Sequence, residues 1–365
     1  MFAKRIIFMI LIFVLILSST TVLASSNYQI GGNIKAGMNT LFFDNESNVN
    51  LYESLELKLD LDQASFTLLA QNNSNKDKID LWLKKAYIKY KLKDINLTLG
   101  KQPVSWSFGS LVNVVDYSLG AETLDQETNA KYVNALQLQY PINWYSSLSF
   151  VTEINSVSKK YGFRGRTLIK NFDLSLNYIN QSTEADSISR WGVSLKGDIN
   201  RMGAYGSYTM IDYKMEEKTS VNTQALMIGA DYSYLFNQGM GNRLYLQGEY
   251  HLLENNEGLK LLLQSLTGAG VGLEASQNLL GDGYLDVFLT NVNYNINDFS
   301  SIGIFTITAL KDKSTVVIPN YRNQLTNNTT LNINLSYISG SQSSIFAGGV
   351  GMPELVGNIE LTYAF

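Results

Sequence analysis

His251 is the only histidine in the chain, and so the only side chain whose ordinary pKa lies near neutrality. It stands two residues after Glu249, which places both on one face of an extended segment. Such a pair becomes a catalytic base only beside a nucleophile held within hydrogen-bond reach, and the sequence locates none. With one histidine and no cysteine, a metal site is not expected. Gly268-Ala269-Gly270-Val271-Gly272 lacks the dinucleotide-binding spacing and has no strand–helix–strand context, so it reads as a loop. These observations argue against an enzyme and imply no cofactor.

The constellation with physical consequences is charge. Lys85, Lys89 and Lys91 share one parity, while Ile88, Tyr90 and Leu92 share the other. Arg164 and Arg166 likewise alternate with Tyr161, Phe163 and Ile169, and Lys58, Arg190 and Lys196 follow the same rule. Segment 103–130 is the opposite: it carries Asp116, Glu122, Asp125 and Glu127 and no basic residue. If the basic rows line a water-filled space and the acidic segment lies across from them, the result is a transverse field that orients dipolar solutes and filters ions. The alternative is that these charges are solvated and balanced, with no such field.

Strands would hold those rows to one side. Leu51, Leu55, Leu57, Leu59 and Leu61 oppose Tyr52, Ser54, Glu56, Lys58 and Asp60, a period of two that only an extended chain turns into two faces. The pattern returns with Ile95, Leu97 and Leu99, with Phe172, Leu174, Leu176 and Tyr178, with Trp191, Val193 and Leu195, and with Leu244, Leu246, Tyr250 and Leu252. Tight connections at Lys93-Asp94, Asn171-Phe172-Asp173, Asn200-Arg201, Asn297-Asp298 and Asn327-Asn328 alternate with longer polar ones near 44–50, 72–78, 155–159, 181–187 and 214–220. Two stretches, 103–130 and 255–282, are longer still. Short turns at one end and long loops at the other predict an all-β, transmembrane antiparallel β-barrel with a long inward-folding loop. Strands are expected near 28, 51, 63, 80, 95, 131, 144, 160, 172, 188, 202, 221, 242, 283, 298, 314, 329 and 354, about 18, with 16 as the alternative count. The weakest patterns are 314–324, which contains Pro319, and 202–213, whose parity is poor. Tyr and Trp near strand ends, among them Tyr28, Trp82, Tyr140, Trp144, Tyr161, Tyr178, Trp191 and Tyr250, fit interfacial girdles better than a soluble sandwich.

Composition and targeting agree. Hydrophobic residues make up 45% of the 365, yet after the first two dozen residues no apolar run reaches the roughly 20 residues that a spanning helix needs. Lys4 and Arg5, the apolar run Ile6 to Leu17, and Val22-Leu23-Ala24 form a cleavable export signal over 1–24, leaving a barrel over 25–365. The mature chain then has 26 basic and 32 acidic residues, a net charge of −6 that gives no reason to expect nucleic acid as a partner.

Two segments carry a resemblance. The last strand, ending Ile359-Glu360-Leu361-Thr362-Tyr363-Ala364-Phe365, resembles the terminal strand of Gram-negative outer-membrane proteins. That resemblance implies that Tyr363 and Phe365 are read by the barrel-insertion machinery. Ala86 to Trp106, with Leu99-Gly100-Lys101-Gln102 running into Pro103-Val104-Ser105-Trp106, resembles the porin hairpin that enters the pore loop. The version with a following Asp116 is closer to the larger substrate-type porins of about 18 strands. The resemblance implies a water-filled channel in outer-membrane lipid for passive diffusion of small hydrophilic solutes and ions. The alternatives are a channel selective for a sugar, organic acid or oligosaccharide, with Trp106, Tyr117 and the basic rows as a track, or a barrel serving adhesion or the envelope. Lys101 stands where Arg is commoner, and the acidic Pro-Glu-Phe-Gly-Gly motif of general porins is absent. Monomer and homotrimer both remain compatible with the sequence.

Overall fold

The computed structural model describes residues 28–43, 47–61, 63–75, 78–106, 111, 117, 132–154, 159–183, 186–215, 220–236, 241–254, 284–341, 344, 346 and 355–365. They form eighteen strands: β1 (Tyr28–Phe42), β2 (Ser47–Leu61), β3 (Ala64–Asn75), β4 (Lys78–Leu92), β5 (Ile95–Pro103), β6 (Tyr132–Pro141), β7 (Ser146–Glu153), β8 (Lys159–Ile169), β9 (Phe172–Ser182), β10 (Asp186–Ile199), β11 (Met202–Met215), β12 (Ser220–Leu235), β13 (Arg243–Glu254), β14 (Tyr284–Asn295), β15 (Ser300–Ala309), β16 (Thr315–Gln324), β17 (Thr329–Ser339) and β18 (Leu355–Ala364). Each pairs antiparallel with its sequence neighbours, and β1 pairs with β18, so the sheet closes into a barrel. Closure leaves no free edge. At the seam Gly32 N–H donates to the Phe365 carbonyl and Phe365 N–H donates back to Gly32, both at 3.0 Å. The described residues contain no helix long and apolar enough to cross a membrane.

The alternation becomes two walls. Ile88, Leu92, Phe163, Leu176, Trp191, Leu246, Ile302, Ile359, Leu361 and Tyr363 stand exposed on the outer face, Ile88 at 51%. Across β7 to β10 that face carries contiguous rings: Phe150–Phe163 at 4.8 Å, Tyr161–Tyr178 at 6.2 Å and Tyr178–Trp191 at 4.3 Å. Tight turns at one end place Lys93, Lys170 and Asn200 at positive φ, the backbone that matches the twist of a two-residue hairpin.

The structure settles the strand count, moves some boundaries and explains the two weakest patterns. The count is eighteen, so the sixteen-strand alternative is excluded. β2 begins at Ser47, because its ladder with β1 continues through polar Asn48 and Asn50; β3 and β4 likewise run through most of 72–78. Pro319 is accommodated within β16, where the β16–β17 ladder is interrupted at Ile318 and Pro319, as a residue lacking N–H requires. In β11 the parity is blurred because inward-facing Ile211 is apolar and buried in a core inside the barrel. One irregularity had no sequence signal: a bulge opposite Leu69/Ala70 inserts Lys84, so that Leu83 is exposed outside while Lys84 is buried. The export segment 1–24, the loop 255–282 with its glycine run, and the side chains of Tyr28 and Trp82 lie outside the described residues.

Candidate functional site

The chain leaving β5 turns into the barrel. Gln102 is buried and donates to the Ala135 carbonyl at 2.8 Å and the Thr98 carbonyl at 3.2 Å, which ties the strand end to β6. Beyond it, Val104, Trp106 (2% exposed) and Tyr117 (0%) pack with Ala135, Val151 and Ile179, inward-facing residues of β6, β7 and β9. The Trp106 and Tyr117 rings lie 5.5 Å apart. Gly162 of β8 makes room for them: a Cβ there would sit 2.7 Å from Trp106 and 3.0 Å from Tyr117. Tyr117 Oη donates to the Lys160 carbonyl at 3.3 Å, and Arg190 donates to the Tyr117 carbonyl at 3.4 Å. Lys160 Nζ lies 4.4 Å above the Tyr117 ring and 3.5 Å from Glu153. Burial raises the Tyr117 hydroxyl above its ordinary pKa, so it remains a donor.

Leu111, between those two aromatic residues in sequence, is placed elsewhere. It is 1% exposed in a cluster with Ile211, Ala225, Leu253, Leu285, Val287, Leu289, Phe305 and Ile307, inward-facing residues of β11 to β15. The segment therefore reaches from the β6–β9 wall to the β11–β15 wall. Its anchor there is Glu249, fully buried, which accepts from Leu111 N–H at 2.5 Å, Tyr205 Oη at 2.9 Å and Gln247 Nε2 at 3.3 Å. His251 Nε2 lies 3.0 Å from the other carboxylate oxygen. The His251–Glu249 pair thus belongs to a loop anchor. Phe346 enters the same cluster from the segment before β18, its N–H 3.4 Å from Ser314 Oγ.

The basic residues singled out in sequence occupy inward-facing register positions, in different surroundings. Lys85 pairs with Glu56 at 3.1 Å, Lys58 reaches the same oxygen at 3.8 Å, and Asn33 donates to Glu56 at 2.7 Å. Arg166 grips Asp173, its Nε at 2.9 Å and 2.7 Å from the two oxygens. Arg164 stands in register between Ser149 and Asn177. Lys89 and Lys91 have no ion pair among the described residues; they line a recess of about 450 Å³ with Asn96, Thr98, Gln137 and Gln139. The acidic residues Asp116, Glu122, Asp125 and Glu127 lie outside the described residues. The described residues bring no metal-binding cluster together. Sequence reasoning missed the partners Glu56, Glu153, Asp173 and Glu360, and an inward row of asparagines. The spacing of Asn291, Asn293 and Asn295 was the available signal for that row.

The described strands form a closed eighteen-stranded barrel with an apolar outer face, and described residues of the chain after β5 pack inside it. The fold is that of an outer-membrane porin. No family model and no curated protein sequence matches the chain. Solved structures do. OpdQ of Pseudomonas aeruginosa superposes with a TM-score of 0.61 at 8% identity, covering 93% of this chain and 99% of that one. OprD of the same organism gives 0.60 at 7% identity, covering 94% and 97%. The trimer form of OmpT, an outer membrane protein of Vibrio cholerae, gives 0.50 at 11%, covering 93% and 99%. At these identities the likeness is one of fold.

Proposed function

We propose that the chain is an outer-membrane porin that lets small hydrophilic solutes and ions diffuse through its water-filled lumen. The observation that carries this reading is the unequal filling of the interior. The crossing segment packs against β6–β9 and β11–β15, while a polar space of about 800 Å³ remains beside β14–β18, β1 and β2. Water in that space gives solutes a route past the loop. Lys89, Lys91, Arg164 and Arg166 then bias which ions enter, opposite the acidic residues of 103–130 in this reading. Residues 1–24 direct export and are removed after Ala24, and Tyr363 and Phe365 complete the strand that the insertion machinery reads.

Planar-bilayer recording of the purified protein tests the proposal. Stepwise conductance in KCl is the expected outcome. A folded, heat-modifiable barrel that inserts and gives no steps would point instead to a closed envelope or adhesion barrel.

A further inference from the structure

The polar half of the lumen has a chemistry that diffusion does not require. Asn293 of β14 lies in register with Gly303 of β15, which lies in register with Asn320 of β16. The row continues through Asn334 of β17, Asn358 of β18, Asn39 of β1 and Asn50 of β2. Six carboxamides thus follow one another across seven adjacent strands, all facing inward. The one gap, Gly303, has its own reason: a Cβ there would meet the Asn320 amide at 2.8 Å and the Asn293 amide at 3.0 Å. A side chain would push both amides away from the wall. Strands in a barrel tilt by roughly 35–45° to its axis, so a row that runs across them climbs along the pore as well as around it. At about 4.8 Å per strand the row is on the order of 29 Å long.

The amides are linked and still unsaturated. Asn334 donates to Asn358 at 3.5 Å, and Asn358 donates to Asn39 at 2.5 Å and to the Tyr52 hydroxyl at 3.1 Å. Asn50 Oδ1 is buried with no hydrogen-bond partner among the described residues. A carboxamide offers two donors and an acceptor with two lone pairs, whereas a hydroxyl needs one of each kind. A row of amides therefore meets a row of hydroxyls with matched partners at each step. Charge is sparse here. Lys35 and Glu360 neutralise each other at 3.5 Å, and Arg322 and Lys84 flank the space.

We propose that this asparagine row, Asn293–Asn320–Asn334–Asn358–Asn39–Asn50, is a binding track for a neutral polyhydroxylated solute, a sugar or short oligosaccharide. The inference rests on the channel reading and adds the substrate class to it. Successive sugar rings, each of about one strand spacing in width, would exchange hydroxyl–water for hydroxyl–amide hydrogen bonds while moving along the row.

The test is block of single-channel current by a linear gluco-oligosaccharide, with a polyethylene glycol of matched length as comparator. The oligosaccharide is expected to give concentration-dependent interruptions and the glycol polymer none. In the double variant Asn293→Leu, Asn334→Leu the binding constant should fall about tenfold, as expected for losing two sets of hydrogen bonds. Leu335→Ala, on the outer face of the same strand, should leave it unchanged. An absence of conductance steps overturns the channel reading and this inference with it. Steps without oligosaccharide interruptions, equal interruption by the glycol polymer, or tighter block by the corresponding sugar acid each overturn this inference alone. The comparison of probes on the unaltered channel decides the matter even if the double variant fails to fold.

Discussion

The two halves of the lumen are built on the same alternation and finished differently. Where the crossing segment docks, apolar residues cluster on the inner wall beside the polar anchors Glu249 and Arg190: Ala135, Val151 and Ile179 under Trp106 and Tyr117, and Leu253, Leu285, Val287 and Leu289 under Leu111. Where no described residue of that segment docks, the inner wall carries Asn39, Tyr52, Asn293, Asn320, Asn334 and Asn358. One half is a protein core that happens to lie inside a barrel, and the other is a polar wall that, in the proposed porin, faces water. An inward apolar cluster marks where the described loop residues sit; the polar row marks the passage that the porin reading proposes. Fully burying one large apolar side chain contributes about 1.5–3 kcal/mol, so several such contacts on two walls hold the segment across the pore.

The comparison predicts effects of graded size. Trp106→Ala removes the largest docking side chain, which should cost the docked state about 3–5 kcal/mol. Single-channel conductance should rise and become noisy, and unaltered conductance would place the constriction elsewhere. Glu249→Leu keeps the approximate size of the second anchor but leaves Leu111 N–H, Tyr205 Oη and Gln247 Nε2 without the oxygen they donate to. A loss of about 1–3 kcal/mol is expected, read as faster proteolysis within 107–116; an unchanged cleavage rate would show that Glu249 does not hold the loop. Lys89→Ala with Lys91→Ala should leave folding intact and move the zero-current potential in a KCl gradient toward cation preference, since neither lysine has an ion pair among the described residues. A potential that stays put would mean that these charges do not see the permeating ions. Asn334→Ala, in the open half, should change barrel stability by no more than about 0.5 kcal/mol, as judged by the heat-modification temperature. A shift as large as that of Trp106→Ala would erase the distinction between the halves.

Much of this was legible in the sequence because a period of two is a one-dimensional signal. Eighteen starting points, the outward row ending in Tyr363, and the inward parity of Lys89 and Arg166 all follow from it. What it could not show is who faces whom across the lumen. Glu249 and Leu111 are 138 residues apart, and no local pattern pairs them. Lys84 was hidden because a bulge breaks the very periodicity used to read the strand. β11 looked irregular for an informative reason: Ile211 answers to the docked segment rather than to water. The asparagine row was half visible, as alternation within β14 and β17, but its continuity across strands depends on register.

The central claim is that water fills one half of the lumen and protein the other. The chain has no cysteine, so single thiols can be introduced at Asn334→Cys, Leu335→Cys and Leu289→Cys and exposed to a bulky, charged, water-soluble reagent during single-channel recording. A permanent drop in conductance is expected for Asn334→Cys, and no change for Leu335→Cys on the outer face or Leu289→Cys beneath the docked segment. Rapid modification at 289 together with an unmodified 334 would contradict the claim.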